Sequence, residues 1–304
     1  MLIQEKLGAP RGTLRATFLI ETLPAAFQME EILYELREHA AGLNVGRWDK
    51  IFSDIKVVKN HPDRILADRA SIGLGRPWMK AYALRLIQVC HRRGAAAIGG
   101  MAAFTPGKSA ELRQHQTSKV LADKQLESSM GHDGCWVSHP YFIGPALSAF
   151  PRENQLDVRH DGVDRYPDLL PQGKGPRTEE GLRTNCRVGI AYLEGWSRGL
   201  GCVAWDNLME DLATLEISRA QTWQWLHHRA LLDDGRAVDA ELVRGIFGQE
   251  LERIHAELEA DAEGRDPAGV AARKEAFAAA RDAAAELFLA PEFAPFLSVA
   301  SDLA

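Results

Sequence analysis

The chain has 304 residues, of which 46% are hydrophobic and 26% are charged. This composition is ordinary for a globular protein, and the length allows one large domain or two smaller ones. The net charge of −6 and the pI near 6.0 argue against a general nucleic-acid-binding protein, which is usually basic, so we expect no nucleic-acid partner.

The N-terminal region shows two strand-like segments around one helical pattern. The apolar, β-branched stretch 14–20 predicts a buried strand. Apolar residues at helical spacing over 29–40 predict a helix, with Gly42 as its C-terminal cap. The apolar stretch 51–58 predicts a second strand, which would place Asp49 at a strand edge.

The middle of the chain alternates between helical and strand-like patterns. These predict helices over 78–93 and 179–196, and short strands over 95–101, 135–138 and 201–205. Residues 151–176 are rich in Asp, Arg, Gly and Pro and predict a long surface excursion. The alternation favours an α/β fold with a parallel sheet, and carboxylates just after strands suit a TIM-type (β/α) barrel.

The composition changes after residue 214. Apolar residues spaced by four, four, three and four predict an amphipathic helix: Val243, Phe247, Leu251, Ile254 and Leu258. The Ala-rich stretch 267–290 predicts a further helix, closed by Pro291. We therefore expect an α/β domain over 1–214 and an all-helical domain over 215–304.

The cysteines and the chain ends bear on location. The four cysteines, Cys90, Cys135, Cys186 and Cys202, lack the paired spacing of zinc or dithiol sites. No stretch approaches the ~18 apolar residues that span a bilayer, and no secretory signal is visible. We expect a reduced, cytoplasmic protein with no membrane partner.

Seven segments, in the same order, resemble one family. The most informative is 39–53, HAAGLNVGRWDKIFS, which combines glycines, an asparagine, a tryptophan and an acid. The others are RATFLIETLPAAFQM (15–29), GGMAAF (99–104), GHDGCWVSHP (131–140), RTEEGLRTN (177–185), LMEDLATLEISR (208–219) and WQWLHH (223–228). Together they resemble the A-type class of malate synthases over essentially the whole chain. The resemblance implies a TIM-type barrel, a helical C-terminal domain, and an acyltransferase of the glyoxylate cycle that joins acetyl-CoA to glyoxylate.

The resemblance also implies a metal and glyoxylate site. Glu21 and Asp49 occupy the family's two ligand positions for Mg²⁺, a hard ion that takes oxygen ligands and usually retains waters. Without the resemblance, each would be interpreted as a surface acid at a strand end. Backbone amides around Gly46, Trp48 and Asp49 would hold the glyoxylate carboxylate, since glycine permits close approach. Trp136 would wall the glyoxylate pocket, the alternative being a tryptophan packed in the core.

Asp211 matches the family's catalytic base, which removes a proton from the acetyl methyl group. The adjacent Glu210 is an alternative, and an acid near a helix start is also favoured by the helix dipole alone. Pro140 and Cys202 are weaker candidates for contact with CoA, and Cys202 could equally be an inert core thiol. The His-Asp pair at 132–133 has no nucleophile at suitable spacing, so we expect it to shape its loop.

The family's upstream portion carries an arginine in an Arg-Pro-Arg-Gly-Trp-type motif, which does not occur in this sequence. That guanidinium would stabilise the enolate oxygen as charge develops. Arg11 and Arg15 match a different family segment and do not replace it. We therefore expect a barrel incomplete at its N-terminal side, and an isolated chain without activity unless a complementing N-terminal chain supplies the missing part.

Three interpretations stay open. The chain is a malate synthase polypeptide separated from its upstream part, or one half of a split enzyme. Alternatively, it is a truncated, catalytically inactive remnant. A Mg-dependent lyase acting on malyl-CoA or citryl-CoA is the third. The motifs around Asp49 and Asp211 favour the first interpretation.

Overall fold

The computed structural model describes residues 2–262 and 265–297, and the chain divides into two compact units. The first unit contains Met1–Lys50 and Gly73–Leu170, and the second contains Ile51–Ile72 and Pro171–Ala304. The domain boundary that the sequence places between 214 and 215 stays a prediction.

The first unit contains a four-stranded parallel sheet. Its strands are β1 (Ala16–Ile20), β2 (Ala40–Val45), β3 (Ala96–Ala102) and β4 (Gly134–Val137), and they lie side by side in the order β1-β2-β3-β4. Because crossovers between parallel strands are right-handed, this sequential order places the connecting helices on one face, as in a (β/α) barrel. The predicted α/β class with a parallel sheet is confirmed.

Short and long helices accompany these strands. They are α1 (Leu2–Leu7), α2 (Leu23–Phe27), α3 (Met29–Glu35), α4 (Trp48–Val58), α5 (Pro77–Arg92), α6 (Ala110–Met130) and α7 (Ile143–Ser148), and from Ile51 onward α4 belongs to the second unit. The predicted helix over 78–93 is confirmed as α5. The 21-residue α6 was not predicted, because its apolar residues do not form a regular stripe. Short 3₁₀ helices cover Pro140–Phe142 in the first unit and Pro62–Arg64 and Arg69–Ser71 in the second.

Two predictions around the 39–53 segment are wrong. Gly42 lies inside β2 and does not cap a helix: a Cβ there would lie 2.1 Å from the Ala96 carbonyl oxygen, so the close approach of β3 requires glycine. The stretch 51–58 belongs to α4, not to a strand. Its apolar residues Ile51, Phe52 and Ile55 recur at helical spacing, and the intervening Asp and Lys, which looked like interruptions, fit a helix.

The burial predicted for the first strand is also wrong. The strand exists as β1, but only Ile20 is buried, whereas Leu19 is 40% exposed. In the described sheet β1 is an end strand that pairs with β2 alone, which accounts for its exposure.

The second unit is mostly helical. It contains α8 (Glu179–Ser197), β5 (Cys202–Trp205), β6 (Leu208–Asp211), α9 (Leu212–His227), α10 (Ala240–Ala262) and α11 (Pro267–Phe288). Its four long helices pack around a core that includes Leu182, Ile190, Trp225, Phe247 and Phe288. The predicted helices over 179–196, 243–258 and 267–290 are confirmed.

The strand predicted over 201–205 exists, but it does not join the parallel sheet. It is β5, which pairs antiparallel with β6 in a separate hairpin. Asp206 and Asn207 form its turn with positive φ values of 46° and 64°, which suit a two-residue hairpin turn.

Residues 151–176 contain no helix or strand, as predicted. In the part of the chain that is described, no helix is long and apolar enough to cross a membrane.

Candidate active site

The turn between β2 and α4, residues Gly46–Asp49, lies beside the end of β1. Ile20 pairs with Val45 at the carboxyl ends of the two strands, so Glu21 and Gly46 are neighbours. A Cβ on Gly46 would lie 2.6 Å from the Cβ of Glu21, and this contact explains why glycine is required. Glu21 follows β1 directly, whereas Asp49 lies after β2 in the first turn of α4 and not at the edge of a strand, so that expectation is wrong.

Arg47 anchors this β2–α4 turn to the neighbouring elements. Its guanidinium forms two hydrogen bonds with the Asp123 carboxylate of α6, at 2.7 and 2.8 Å, and donates to the Met101 carbonyl of β3 at 3.0 Å. A Cβ on Gly100 would lie 2.4 Å from the Val45 carbonyl oxygen and 3.1 Å from Arg47 Nε. The glycine of the GGMAAF motif thus makes room for the turn and its arginine.

A network of buried charges surrounds Arg47. Burial alone would raise the pKa of Asp123, but the Arg47 guanidinium lowers it to about 2. Burial raises the pKa of Glu127, which lies 2.9 Å from Lys124 Nζ. Burial lowers the pKa of His132 to about 4, and its Nδ1 donates to the Glu127 carbonyl at 3.1 Å. Opposite charges in this network therefore offset much of the cost of desolvation.

Tyr82 of α5 reaches the same strand ends. It is fully buried, and its hydroxyl contacts the carbonyl oxygens of Ile20 and Gly46. Sequence reasoning missed both Tyr82 and the Asp123–Glu127 network, because neither lies near the signature in sequence. Arg47 lies within the signature, but its partners are visible only in the fold.

The donor set at this turn fits a hard divalent ion in part. Glu21 and Asp49 supply carboxylate oxygens from adjacent segments, which Mg²⁺ accepts when waters or a substrate complete its octahedral coordination. Within residues 2–262 and 265–297, no group of three or more His, Cys, Asp and Glu side chains is arranged to hold a metal ion. Two protein ligands are compatible with Mg²⁺ but not with a closed structural zinc site.

The other candidates of the first unit lie around β4. Trp136 is in β4 and is 39% exposed, so its ring is not a fully buried core side chain. Pro140 is exposed and begins a 3₁₀ helix. Asp133 accepts hydrogen bonds from the Ala97 and Gln155 amides at 2.7 and 2.6 Å. It also lies 2.9 Å from His91 Nε2, which confirms that the 132–133 pair shapes its loop.

In the second unit, Asp211 forms the N-cap of α9. Its Oδ1 accepts from the Thr214 amide at 3.2 Å, and the Thr214 hydroxyl accepts from the Asp211 amide at 2.8 Å, a reciprocal capping box. Its other oxygen, Oδ2, accepts no hydrogen bond from the residues that the structure describes. Cys202 pairs with Asp211 across the hairpin and is exposed, so it is not a core thiol.

Glu210 differs from the adjacent Asp211 in its burial and in the partners of its carboxylate oxygens. It is 2% exposed, and both of its oxygens face the Arg69 guanidinium, at 2.9 and 3.4 Å. Both oxygens of the Glu210 carboxylate are therefore occupied by Arg69 within the protein interior. Asp211 is only half-buried and keeps one oxygen available, so the geometry favours it over Glu210.

Comparisons with known proteins agree with these motifs. The family model "Malate synthase, TIM barrel domain" matches residues 1–165, and "Malate synthase, C-terminal" matches residues 176–302. Malate synthase A of Escherichia coli is 49% identical over 262 residues, which cover 84% of this chain and 49% of that protein.

A malate synthase of Myxococcus xanthus is 52% identical over 262 residues, covering 84% of this chain and 48% of the relative. The glyoxysomal malate synthase of Zea mays is 46% identical over 270 residues, covering 85% of this chain and 48% of that relative. The chain thus spans about half the length of the curated relatives that it matches. With both family models accounting for most of its residues, the chain belongs to the malate synthase family.

Proposed function

We propose that this chain carries the glyoxylate site and the catalytic base of an enzyme that condenses acetyl-CoA with glyoxylate. The products would be malate and CoA, and one water would be consumed in thioester hydrolysis. The observation that carries the proposal is the contrast at β6: Asp211 keeps Oδ2 available on a fixed helix cap, whereas Glu210 is bound to Arg69.

Glu21 and Asp49 would hold a Mg²⁺ ion, and Mg²⁺ would polarise the aldehyde carbonyl of glyoxylate as a Lewis acid. The amides of Gly46, Trp48 and Asp49 would bind the glyoxylate carboxylate. Trp48 and Asp49 lie in the first turn of the 11-residue α4, where the helix dipole favours an anion, and Gly46 lies just before that helix. Trp136 would form a wall of the glyoxylate pocket.

Asp211 would remove a proton from the acetyl methyl group of acetyl-CoA. The resulting enolate would attack the aldehyde carbon of glyoxylate, forming the new carbon–carbon bond, and water would then release CoA from the thioester. The capping box fixes the backbone of the base, so the carboxylate requires little reorganisation. Cys202, opposite Asp211, and Pro140 would lie along the path of CoA.

In this proposal a complementing N-terminal chain would supply the arginine that stabilises the enolate oxygen, and the protein would act in the cytoplasm. The alternative interpretation is a remnant or half-enzyme without activity of its own. A lyase acting on malyl-CoA or citryl-CoA is the further alternative.

The test is a thiol-release assay with acetyl-CoA, glyoxylate and Mg²⁺. Asp211→Asn keeps the cap, because Asn and Asp are equally good N-cap residues, but it removes the base. With the upstream half of a relative added to the chain, we expect glyoxylate-dependent CoA release to fall about 10²–10⁴-fold in this variant. Asp239→Asn is the matched control, since Asp239 similarly caps α10 by accepting from the Leu242 amide at 2.9 Å.

Equal loss in both variants would contradict the role of Asp211. Cleavage of malyl-CoA to acetyl-CoA and glyoxylate, without thiol release, would favour the lyase. Absence of release from a folded chain, followed by release when the upstream half of a relative is added, would support the need for a complementing chain.

A further inference from the structure

We propose that Tyr82 is a positioning residue for the candidate metal site, because its hydroxyl ties together the two backbone segments that carry Glu21 and Asp49. The inference rests on the proposed function, since it assumes that these two carboxylates bind Mg²⁺. It assigns a role to a side chain that lies outside every signature segment.

The hydroxyl contacts one backbone atom from each segment. It donates to the Ile20 carbonyl, directly before Glu21, and lies 3.2 Å from the Gly46 carbonyl, at the start of the β2–α4 turn. The side chain is fully buried, so water does not replace the hydroxyl readily. One side chain therefore sets the spacing between the two segments.

The strand ladder by itself does not fix this spacing. The register of β1 with β2 ends at the Ile20–Val45 pair, and Glu21 and Gly46 come one residue later. Beyond the last strand pair, a buried carbonyl needs another donor, and the Tyr82 hydroxyl supplies one. The contact between Gly46 and the Glu21 Cβ limits how closely the two segments approach, and the Tyr82 hydroxyl limits how far apart they lie.

The tyrosine ring is itself held in place. It projects from the 16-residue α5, and the Lys50 ammonium lies 5.4 Å from the ring centroid. Lys50 follows Asp49 directly and is fully buried. The ring thus lies beside Lys50 of α4 and the hydroxyl contacts Gly46 of the β2–α4 turn, and substitution by phenylalanine removes only the hydroxyl contact.

The experiment measures Mn²⁺ binding to the 304-residue chain by electron paramagnetic resonance, with Mn²⁺ as a visible substitute for Mg²⁺. We expect Tyr82→Phe to weaken Mn²⁺ binding about tenfold, the lower end of the effect of removing an outer-shell partner. Circular dichroism and thermal unfolding verify that the variant is folded. Glu21→Gln should abolish this binding and identifies the site.

Val89→Ala is the control for general destabilisation, because Val89 is a buried residue of the same helix that makes neither hydroxyl contact. It should lower the melting temperature and leave Mn²⁺ affinity unchanged. Tyr34→Phe removes a tyrosine hydroxyl at an exposed position and should leave Mn²⁺ affinity unchanged. An equal loss of affinity in Tyr82→Phe and Val89→Ala would overturn the positioning role.

The outcomes separate this inference from the proposed function. Mn²⁺ binding that depends on Glu21 but is unchanged in Tyr82→Phe would overturn the role of Tyr82 and keep the metal site. No Mn²⁺ binding to the unsubstituted chain, or binding unaffected by Glu21→Gln, would overturn the metal site and with it the role of Tyr82. A loss of Mn²⁺ affinity in Tyr82→Phe but not in the control variants supports both the metal site and the positioning role of Tyr82.

Discussion

The β2–α4 turn of the first unit and the β6–α9 junction of the second both place a candidate functional carboxylate between a strand and the first turn of a helix. They are fixed by different kinds of contact. The first depends on side chains distant in sequence, Tyr82 and Asp123. The second combines a local contact, since Asp211 and Thr214 cap each other three residues apart, with the long-range ion pair between Arg69 and Glu210. The parallel strand ends thus depend on long-range contacts alone, whereas the helix start after the hairpin is also capped locally.

Removing the long-range ion pair beside the β6–α9 junction should have the largest effect. Arg69→Met leaves Glu210 buried without its guanidinium, and we expect the free energy of unfolding to fall by about 3–5 kcal/mol. Urea unfolding measures this change. The double variant Arg69→Met/Glu210→Leu should recover much of the loss. A loss below about 1 kcal/mol in the single variant would show that local capping alone fixes the junction.

A pH titration tests the network behind the β2–α4 turn. The pKa of His132 is about 4 in the folded chain, below its ordinary value of 6.5, so the unfolded chain binds more protons between these values. The contribution of His132 to stability is therefore fully present above pH 6.5, and about 3 kcal/mol of it is lost as the pH drops to 4. His132→Asn keeps a donor near Nδ1 and should flatten this part of the stability curve. Parallel curves for the two proteins would contradict the assignment.

Gly46→Ala tests the close contact between the two segments that carry the candidate metal ligands Glu21 and Asp49. The new Cβ would meet Glu21 at 2.6 Å, so we expect a loss of about 1–3 kcal/mol in unfolding free energy and weaker Mn²⁺ binding. Gly144→Ala in α7 is the control, because nothing lies within 4 Å of its new Cβ. That variant should be neutral or slightly stabilised. Similar melting temperatures for both variants would argue against tight packing at Gly46.

The smallest effect is expected at the cap. Asp211→Ala should lower the free energy of unfolding by about 1 kcal/mol. Asp211→Asn should leave it almost unchanged, because the asparagine side chain also accepts a hydrogen bond from the Thr214 amide. Thermal unfolding of the two variants measures the difference. Equal destabilisation by Asn and Ala would mean that the carboxylate charge, not the cap, stabilises α9.

Much of the fold could be predicted from periodicity, and the failures have a common cause. The helices α5, α8, α10 and α11 carry long apolar patterns, and their positions are confirmed. The wrong assignment of 51–58 arose because a short apolar run does not distinguish a strand from a helix. Gly42 was misassigned because glycine serves equally at a helix end or where strands approach closely.

The sequence by itself determined the family, the α/β class, and the candidates Glu21, Gly46, Asp49 and Asp211, because these depend on motifs and local patterns. The tertiary structure alone decided that β5 and β6 form a separate hairpin and that Arg69 binds Glu210. It also decided that Tyr82 joins the ends of β1 and β2. The physical reason is that the Arg69 and Tyr82 contacts join residues tens to more than a hundred positions apart, and that an apolar run does not show which strand it pairs with.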